Sequence, residues 1–154
     1  MTLILKVLTS GSIRRPVSGL HSGRVLRIPG SNSLSKMPFI DLQTNLPSSS
    51  FSEDFVKKLS STIAAALGKP VDRMNVVVKP GLPMLIAGSC SPCVMLSVAA
   101  IAVTDTADKN KEHSAKIFEF LTRELGLTED RIVLQFHALE PHQVGKKGTV
   151  MSFL

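Results

Sequence analysis

The chain has 154 residues, which fits one domain large enough to bury a core without disulfides. Hydrophobic residues make up 44% of it and the mean hydropathy is +0.21, as in globular rather than disordered proteins. No apolar run reaches the roughly 18 residues that a membrane-spanning helix needs. Its two cysteines are too few for a disulfide framework. We therefore expect no membrane insertion, and an intracellular or redox-neutral environment.

The net charge of +6 comes entirely from the first 36 residues. They carry six Lys and Arg and no acidic residue, whereas the remaining twelve basic residues balance all twelve Asp and Glu. The part from residue 37 onward is thus neutral overall. A nucleic-acid partner loses its main support, because such partners are normally attracted by a basic surface.

Residues 1–36 also hold seven serines, and this Arg-rich, Ser-rich, acid-free composition is typical of a mitochondrial transit peptide. A secretory signal fits less well, since Lys6 interrupts the short apolar stretch and no small-residue cleavage site follows it closely. The alternatives are a normal start at Met37 and a permanent disordered arm. We divide the chain into an extension, 1–37, and a globular domain, 38–154.

The first half of that domain reads as strand, helix, strand. Residues 38–46 are apolar with partial alternation, which predicts a strand. Ser50 stands three residues before Glu53, the spacing of a capping box. Gly68 is the predicted helix stop, and 74–81 is the second strand. The apolar positions at helical spacing between them are Val56, Leu59, Ile63 and Leu67.

The second half follows the same order. Residues 94–103 form a nearly continuous apolar run, which predicts a strand buried on both faces. Asp105 or Thr106 can cap the next helix, Gly126 can end it, and 131–139 is the following strand. A short last strand is expected near the C-terminus. The apolar positions of this helix are Ile117, Leu121 and Leu125.

The two halves repeat each other. Leu67-Gly68 and Asp72-Arg73 recur 58 residues later as Leu125-Gly126 and Asp130-Arg131. We predict an α/β fold in which two βαβ pseudo-repeats share a four-stranded mixed sheet, with both helices on one face. The other face of the apolar strand needs a cover, and further copies of the chain are the simplest one. The prediction is a homo-oligomer.

Four stretches carry a resemblance to a known family: "MPFIDLQTNLP", "LGKPVDRMNVVVKPG", "HSAKIFEFLTRELGL" and "GKKGTVMSFL". Together they are similar to the macrophage migration inhibitory factor family, in its D-dopachrome branch. The resemblance covers 38–154 without an obvious gap. It implies a homotrimer in which three sheets form a barrel with the helices outside.

The activity that the resemblance implies is tautomerisation with decarboxylation of D-dopachrome, or of a similar small cyclic carboxylate, to a dihydroxyindole. Such a reaction belongs to melanin biosynthesis. An N-terminal proline, here Pro38, is the catalytic base, and no metal or organic cofactor takes part. A free α-amine has a pKa of about 7.7–8.0, and an apolar pocket lowers it further. The nitrogen of an internal proline is an amide without basicity. We therefore expect a chain that keeps residues 1–37 to be inactive.

The resemblance assigns four substrate-binding residues. Lys69 matches the family lysine that holds the substrate carboxylate, although a lysine also suits the end of a helix. Arg73 corresponds to a residue near the same pocket, although it could equally be a surface arginine. Ile101 and Val144 correspond to apolar pocket walls, and plain core positions are the alternative for both.

Five positions bear on the branch of the family or on the shape of its pocket. Val133 and Gln135 stand where the migration-inhibitory-factor branch has Tyr and Asn, which favours the D-dopachrome branch over phenylpyruvate-type substrates. Ala100 replaces a serine common among relatives and removes one hydrogen bond to substrate. The pair Pro141-His142 departs from an expected aromatic and leaves the pocket shape open there.

Other motifs do not indicate a site. Cys90 and Cys93 have CxxC spacing but enter a strand rather than a helix, so we interpret them as structural or incidental thiols. The histidines show no metal-ligand spacing, and no nucleotide-binding signature is present. The alternative to an enzyme is a cytokine-like trimeric ligand of a cell-surface receptor with a vestigial or blocked pocket. The expected location is the cytoplasm, with non-classical export or mitochondrial targeting as alternatives.

Overall fold

The structure, a computed structural model, describes residues 37–154, and the predictions for 1–36, including targeting, lie outside the described residues. Two helices and six strands follow in the predicted order. In chain order they are β1 Phe39–Thr44, α1 Glu53–Leu67, β2 Asn75–Lys79, β3 Val94–Ile101, α2 Ala107–Leu125, β4 Ile132–Leu139, β5 Gly145–Lys146 and β6 Thr149–Val150.

The main sheet has the strand order β2-β1-β3-β4. β1 runs parallel to β2, and β3 runs parallel to β4, as each βαβ unit requires. The two units join through β1 and β3, which are antiparallel, with Ile40 opposite Val98 and Leu42 opposite Leu96. The prediction of two βαβ units in one mixed sheet is confirmed.

Both helices cover the same face of this sheet. Ile40 and Leu42 of β1 belong to one buried cluster with Leu59 and Ile63 of α1 and with Leu121 of α2. Each such side chain stabilises the fold by about 1.5–3 kcal/mol when fully buried. The helical spacing read from the sequence therefore identified the core-facing stripe, except that Phe55 is buried where Val56 was expected.

The helix ends correct one prediction. Ser52, not Ser50, caps α1, and its hydroxyl accepts a hydrogen bond from the backbone N–H of Phe55 at 3.2 Å. Ser50 instead lies in a short 3-10 helix that follows Pro47, so the α-helix begins later than the capping-box spacing indicated. In α2, Thr106 is the cap, which decides between the two residues left open.

Residues 37–154 of one chain leave the opposite face of the sheet uncovered. Phe39 and Val77 are exposed there by 37% and 50%, although both are large and apolar. β3 alternates between buried and half-buried residues, so two-sided burial is not observed within one chain.

The predicted C-terminal strand, β6, pairs with β5 as a separate hairpin. No helix within 37–154 combines the length and the apolar character needed to cross a bilayer.

Candidate active site

Strand direction gathers the predicted site residues at one end of the sheet. β1 and β2 begin at this end, and β3 and β4 finish there, because the two pairs are antiparallel to each other. Pro38 precedes β1, Lys69 and Arg73 lie between α1 and β2, Ile101 ends β3, and Val144 follows β4. Topology therefore brings together residues that are up to 106 positions apart in the sequence.

Pro38 is fully buried, and its carbonyl oxygen is held by two donors. The backbone N–H of Asn75 donates to it at 3.1 Å, and the side-chain Nδ2 of the same residue also donates at 3.1 Å. Nδ2 makes a second hydrogen bond, to the carbonyl of Arg73, at 3.3 Å. Asn75 thus connects the proline to the segment that carries the predicted arginine.

The two predicted walls contact each other in a small apolar cluster, separate from the main core. Ile101, Val144 and Met151 are its buried members. Met37 packs against them, and Lys146 Nζ donates to its Sδ at 3.2 Å. The residue that precedes Pro38 therefore packs against both predicted wall residues.

Lys69 follows the last turn of α1 directly. Gly68 adopts a left-handed conformation at φ 62°, and the Lys69 N–H then closes the helix on the carbonyl of Ala64 at 2.9 Å. The helix end thereby fixes where the lysine backbone lies. Arg73 is half-buried and forms an ion pair with Asp72 at 3.8 Å.

Sequence reasoning missed two polar residues of this region, Asn75 and Lys146. The sequence around each residue carries a weak indication of a special role. Asparagine is disfavoured in strands, yet Asn75 opens one and directly precedes three valines. Lys146 follows the predicted wall Val144 by two positions. Neither pattern predicts a contact with the proline segment, because that contact depends on how the strands pair.

The cysteines lie at the other end of the sheet. Cys90 is exposed and Cys93 is buried, and both are free thiols. Asn45 accepts from the Cys93 N–H at 2.8 Å, and Thr44 donates to the Cys93 carbonyl at 2.8 Å. Across residues 37–154 no group of three or more His, Cys, Asp or Glu side chains could hold a metal ion.

Comparisons with known proteins agree with this architecture. The family model described as macrophage migration inhibitory factor matches residues 37–152. A D-dopachrome decarboxylase from Xenopus tropicalis is 54% identical over 118 residues, which cover 77% of this chain and all of that protein. The bovine D-dopachrome decarboxylase is 51% identical with the same coverage of both chains.

Solved structures give the same result at lower identity. The macrophage migration inhibitory factor of Trichinella spiralis superimposes with a TM-score of 0.68 at 26% identity, over 73% of this chain and 98% of that one. A homologue from Prochlorococcus marinus gives 0.63 at 26% identity with the same coverage. The resemblance found in the sequence is confirmed: the chain belongs to the macrophage migration inhibitory factor family, and its curated relatives at about half identity are D-dopachrome decarboxylases.

Proposed function

We propose that the chain, once it begins at Pro38, decarboxylates and tautomerises D-dopachrome or a similar small cyclic carboxylate, with Pro38 as the general base. The names of its relatives support an enzyme of this kind. The observation that carries the proposal is the fully buried Pro38, at the sheet end that also holds the apolar walls Ile101 and Val144.

The chemistry needs one base and no cofactor. The proline nitrogen removes a proton from the ring carbon beside the one that bears the carboxylate, and a quinone oxygen is protonated. The carbon–carboxylate bond then breaks, its electron pair forms the new ring double bond, and CO₂ leaves. A second proton from solvent completes the dihydroxyindole. A positioned base of this kind contributes about 10²–10⁴-fold to the rate.

The remaining residues bind and orient the substrate. The Lys69 ammonium holds the carboxylate, and Arg73 adds positive charge to the same side of the pocket. Ile101 and Val144 exclude water. Their apolar surroundings disfavour the ammonium form of the proline, so more of it is free base at neutral pH.

A chain that keeps Met37 is inactive for two reasons. The Pro38 nitrogen is then an amide and has no basic lone pair. The Met37 side chain also packs against the pocket walls and receives a hydrogen bond from Lys146. Removal of residues 1–37 therefore creates the base and also removes the side chain that packs against these walls.

The active form is a homotrimer. Phe39 and Val77 expose apolar surface on the uncovered face of the sheet, and further copies of the chain bury it. Trimer formation is checked by analytical ultracentrifugation of the chain that begins at Pro38. A monomer at micromolar concentration contradicts this part of the proposal.

The activity is tested with three proteins: one that begins at Pro38, one that begins at Met37, and a Pro38→Gly variant of the first. Loss of quinone absorbance and chromatographic detection of the dihydroxyindole measure turnover. We expect activity in the first protein alone. Equal turnover by the Met37 form, or no turnover by the Pro38 form, would overturn the proposal.

The second candidate function is a cytokine-like ligand for a cell-surface receptor, reached by non-classical export from the cytoplasm. The packing of Met37 against Ile101 and Val144 favours this function for a chain that retains Met37, since such a chain has no free base. Pro38→Gly discriminates the two functions. If catalysis is the function, this variant loses turnover. If receptor binding is the function, the variant still binds the receptor.

A further inference from the structure

We propose that Asn75 is a positioning residue for the proline base. Its backbone N–H and its carboxamide hold the Pro38 carbonyl and so set the direction of the ring nitrogen. This inference rests on the proposed function, and it concerns a residue to which the family resemblance assigned no role.

The geometry is a two-donor clamp on one acceptor. A carbonyl oxygen has two lone pairs, and Asn75 supplies one N–H to each, with both nitrogens at 3.1 Å. The backbone bond belongs to the pairing of the β1 segment with β2. The side-chain bond is additional, and only a residue with a donor at this position can make it.

The clamp matters most when the chain begins at Pro38. The ring then has no covalent link on its nitrogen side, and it projects from the peptide plane through the single Cα–C bond. With that plane fixed by two hydrogen bonds, only rotation about this bond remains. A base that is misplaced by about 1 Å can lose about 10²-fold in rate.

The same carboxamide also fixes the distance between base and substrate. Its second N–H bonds to the carbonyl of Arg73, so the connection between α1 and β2 is tied to the proline. Lys69 and Arg73, the proposed carboxylate holders, lie in this connection. Asn75 therefore fixes the position of the proline base relative to the segment that carries the proposed carboxylate-binding residues.

The test uses three substitutions in the chain that begins at Pro38: Asn75→Ala, the isosteric Asn75→Asp, which cannot donate, and Asn75→Gln, which keeps the donor one methylene farther out. We expect kcat to fall about 10-fold for Ala, more for Asp and less for Gln, with KM changed less than about twofold. The aspartate carboxylate beside the amine also stabilises the ammonium form. The acid limb of the pH–rate profile therefore moves to higher pH in Asn75→Asp.

Asn45 supplies the matched control at the other end of the sheet. Its side chain bonds the carbonyls of Cys90 and Ser91 at 2.9 and 3.1 Å, and the N–H of Cys93 at 2.8 Å. Asn45→Ala is expected to lower the melting temperature without changing kcat or the pH profile. If the Asn75 variants behave in the same way, their role is structural only and the inference is wrong.

Two further readouts keep the outcomes distinct. If the unsubstituted chain has no turnover, the proposed function fails, and the clamp is then tested by NMR of the Pro38 ring in the chain that begins at Pro38. Asn75→Ala should shift or broaden the ring resonances, and Asn45→Ala should leave them unchanged; ring resonances unchanged in Asn75→Ala overturn the inference. Where Asn75→Ala or Asn75→Asp does not fold, Asn75→Gln is used instead: a lower kcat at unchanged melting temperature supports the inference, and an unchanged kcat overturns it.

Discussion

The two βαβ units use equivalent arginines in different ways. Arg73 and Arg131 each end a short 3-10 helix just before the second strand of their unit. The Arg131 guanidinium donates to four backbone carbonyls at 2.8–3.2 Å, those of Ile86, Ser89, Ser91 and Pro92. The Arg73 side chain instead pairs with Asp72, while its backbone carbonyl joins the Asn75 clamp beside Pro38. One copy of the motif fixes a loop, and the other borders the proposed site.

The direction of the strands explains the difference. β1 and β3 are antiparallel, so the start of β4 lies at the opposite end of the sheet from the start of β2. The first arginine therefore meets the proline segment, and the second meets the connection between β2 and β3. A repeat in sequence thus gives a repeat in fold but not in function.

The largest effect is expected from Arg131→Ala, which tests whether this arginine stabilises the loop and not the proposed site. Hydrogen bonds to a charged group contribute about 1.5–3 kcal/mol each when buried. Because the Arg131 side chain is only half-buried, we expect its four bonds together to contribute about 3 kcal/mol to the free energy of unfolding. Urea denaturation measures it. Because Arg131 is remote from Pro38, the kcat of the folded variant should be unchanged.

Arg131→Lys is the control for that experiment. Lysine keeps the charge but cannot present a planar fork to several carbonyls, so it should recover less than half of the lost stability. Full recovery by lysine would show that charge alone, rather than the four-carbonyl geometry, stabilises the loop.

The next largest effect is expected in the first unit. Lys69→Ala in the chain that begins at Pro38 should reduce kcat/KM by about 10–100-fold, the equivalent of one lost charge-assisted hydrogen bond. The melting temperature is measured alongside, so that a kinetic effect is separated from a loss of stability. Steady-state kinetics measures the first effect and calorimetry the second. A large stability loss with normal kinetics would assign Lys69 to the fold instead.

Arg73→Ala sharpens the comparison directly, because it changes the residue equivalent to Arg131. We expect a stability loss below about 1 kcal/mol and a decrease in kcat/KM of about fivefold. The two arginine variants should therefore show opposite profiles in the same pair of assays. If Arg73→Ala destabilises as much as Arg131→Ala, the two units do not differ in the way proposed.

The helix caps provide a smaller effect that should be equal in both units. Ser52→Ala and Thr106→Ala each remove one side-chain acceptor at a helix N-terminus, and each should cost about 1 kcal/mol. Thermal unfolding of the two variants measures it. Two separate transitions in either variant would show that the units do not unfold as one cooperative domain.

The smallest effect concerns Asp105 before α2. The hydrogen bond from Lys109 lowers the pKa of this carboxyl below its ordinary value, with the Asp105 backbone and the lysine charge acting in the same direction. A folded pKa below the unfolded one gives stability above about pH 4 that is lost as the pH falls through the folded value. NMR titration of Asp105 checks the direction, and Lys109→Met should return the pKa towards normal.

Much of this molecule could be predicted from local pattern. Leu59, Ile63, Ile117 and Leu121 were identified as core residues because helical spacing directly reflects which face is buried. The cap of α1 was misplaced by two residues, since Ser50 and Ser52 both suit a cap and only the preceding 3-10 turn decides between them. The enzyme class followed from the family motifs, and the names of the curated relatives support it.

The sequence by itself determined the two βαβ units, the family, and the set of residue types available at the site. Those features depend on residues close together in the chain or on motifs that stand in it unbroken. Only the tertiary structure decided that Asn75 bonds to Pro38, that Met37 packs against Ile101 and Val144, and that Arg131 binds a loop. These contacts join residues 37 to 107 positions apart, and they form only when the sheet fixes which strand ends meet.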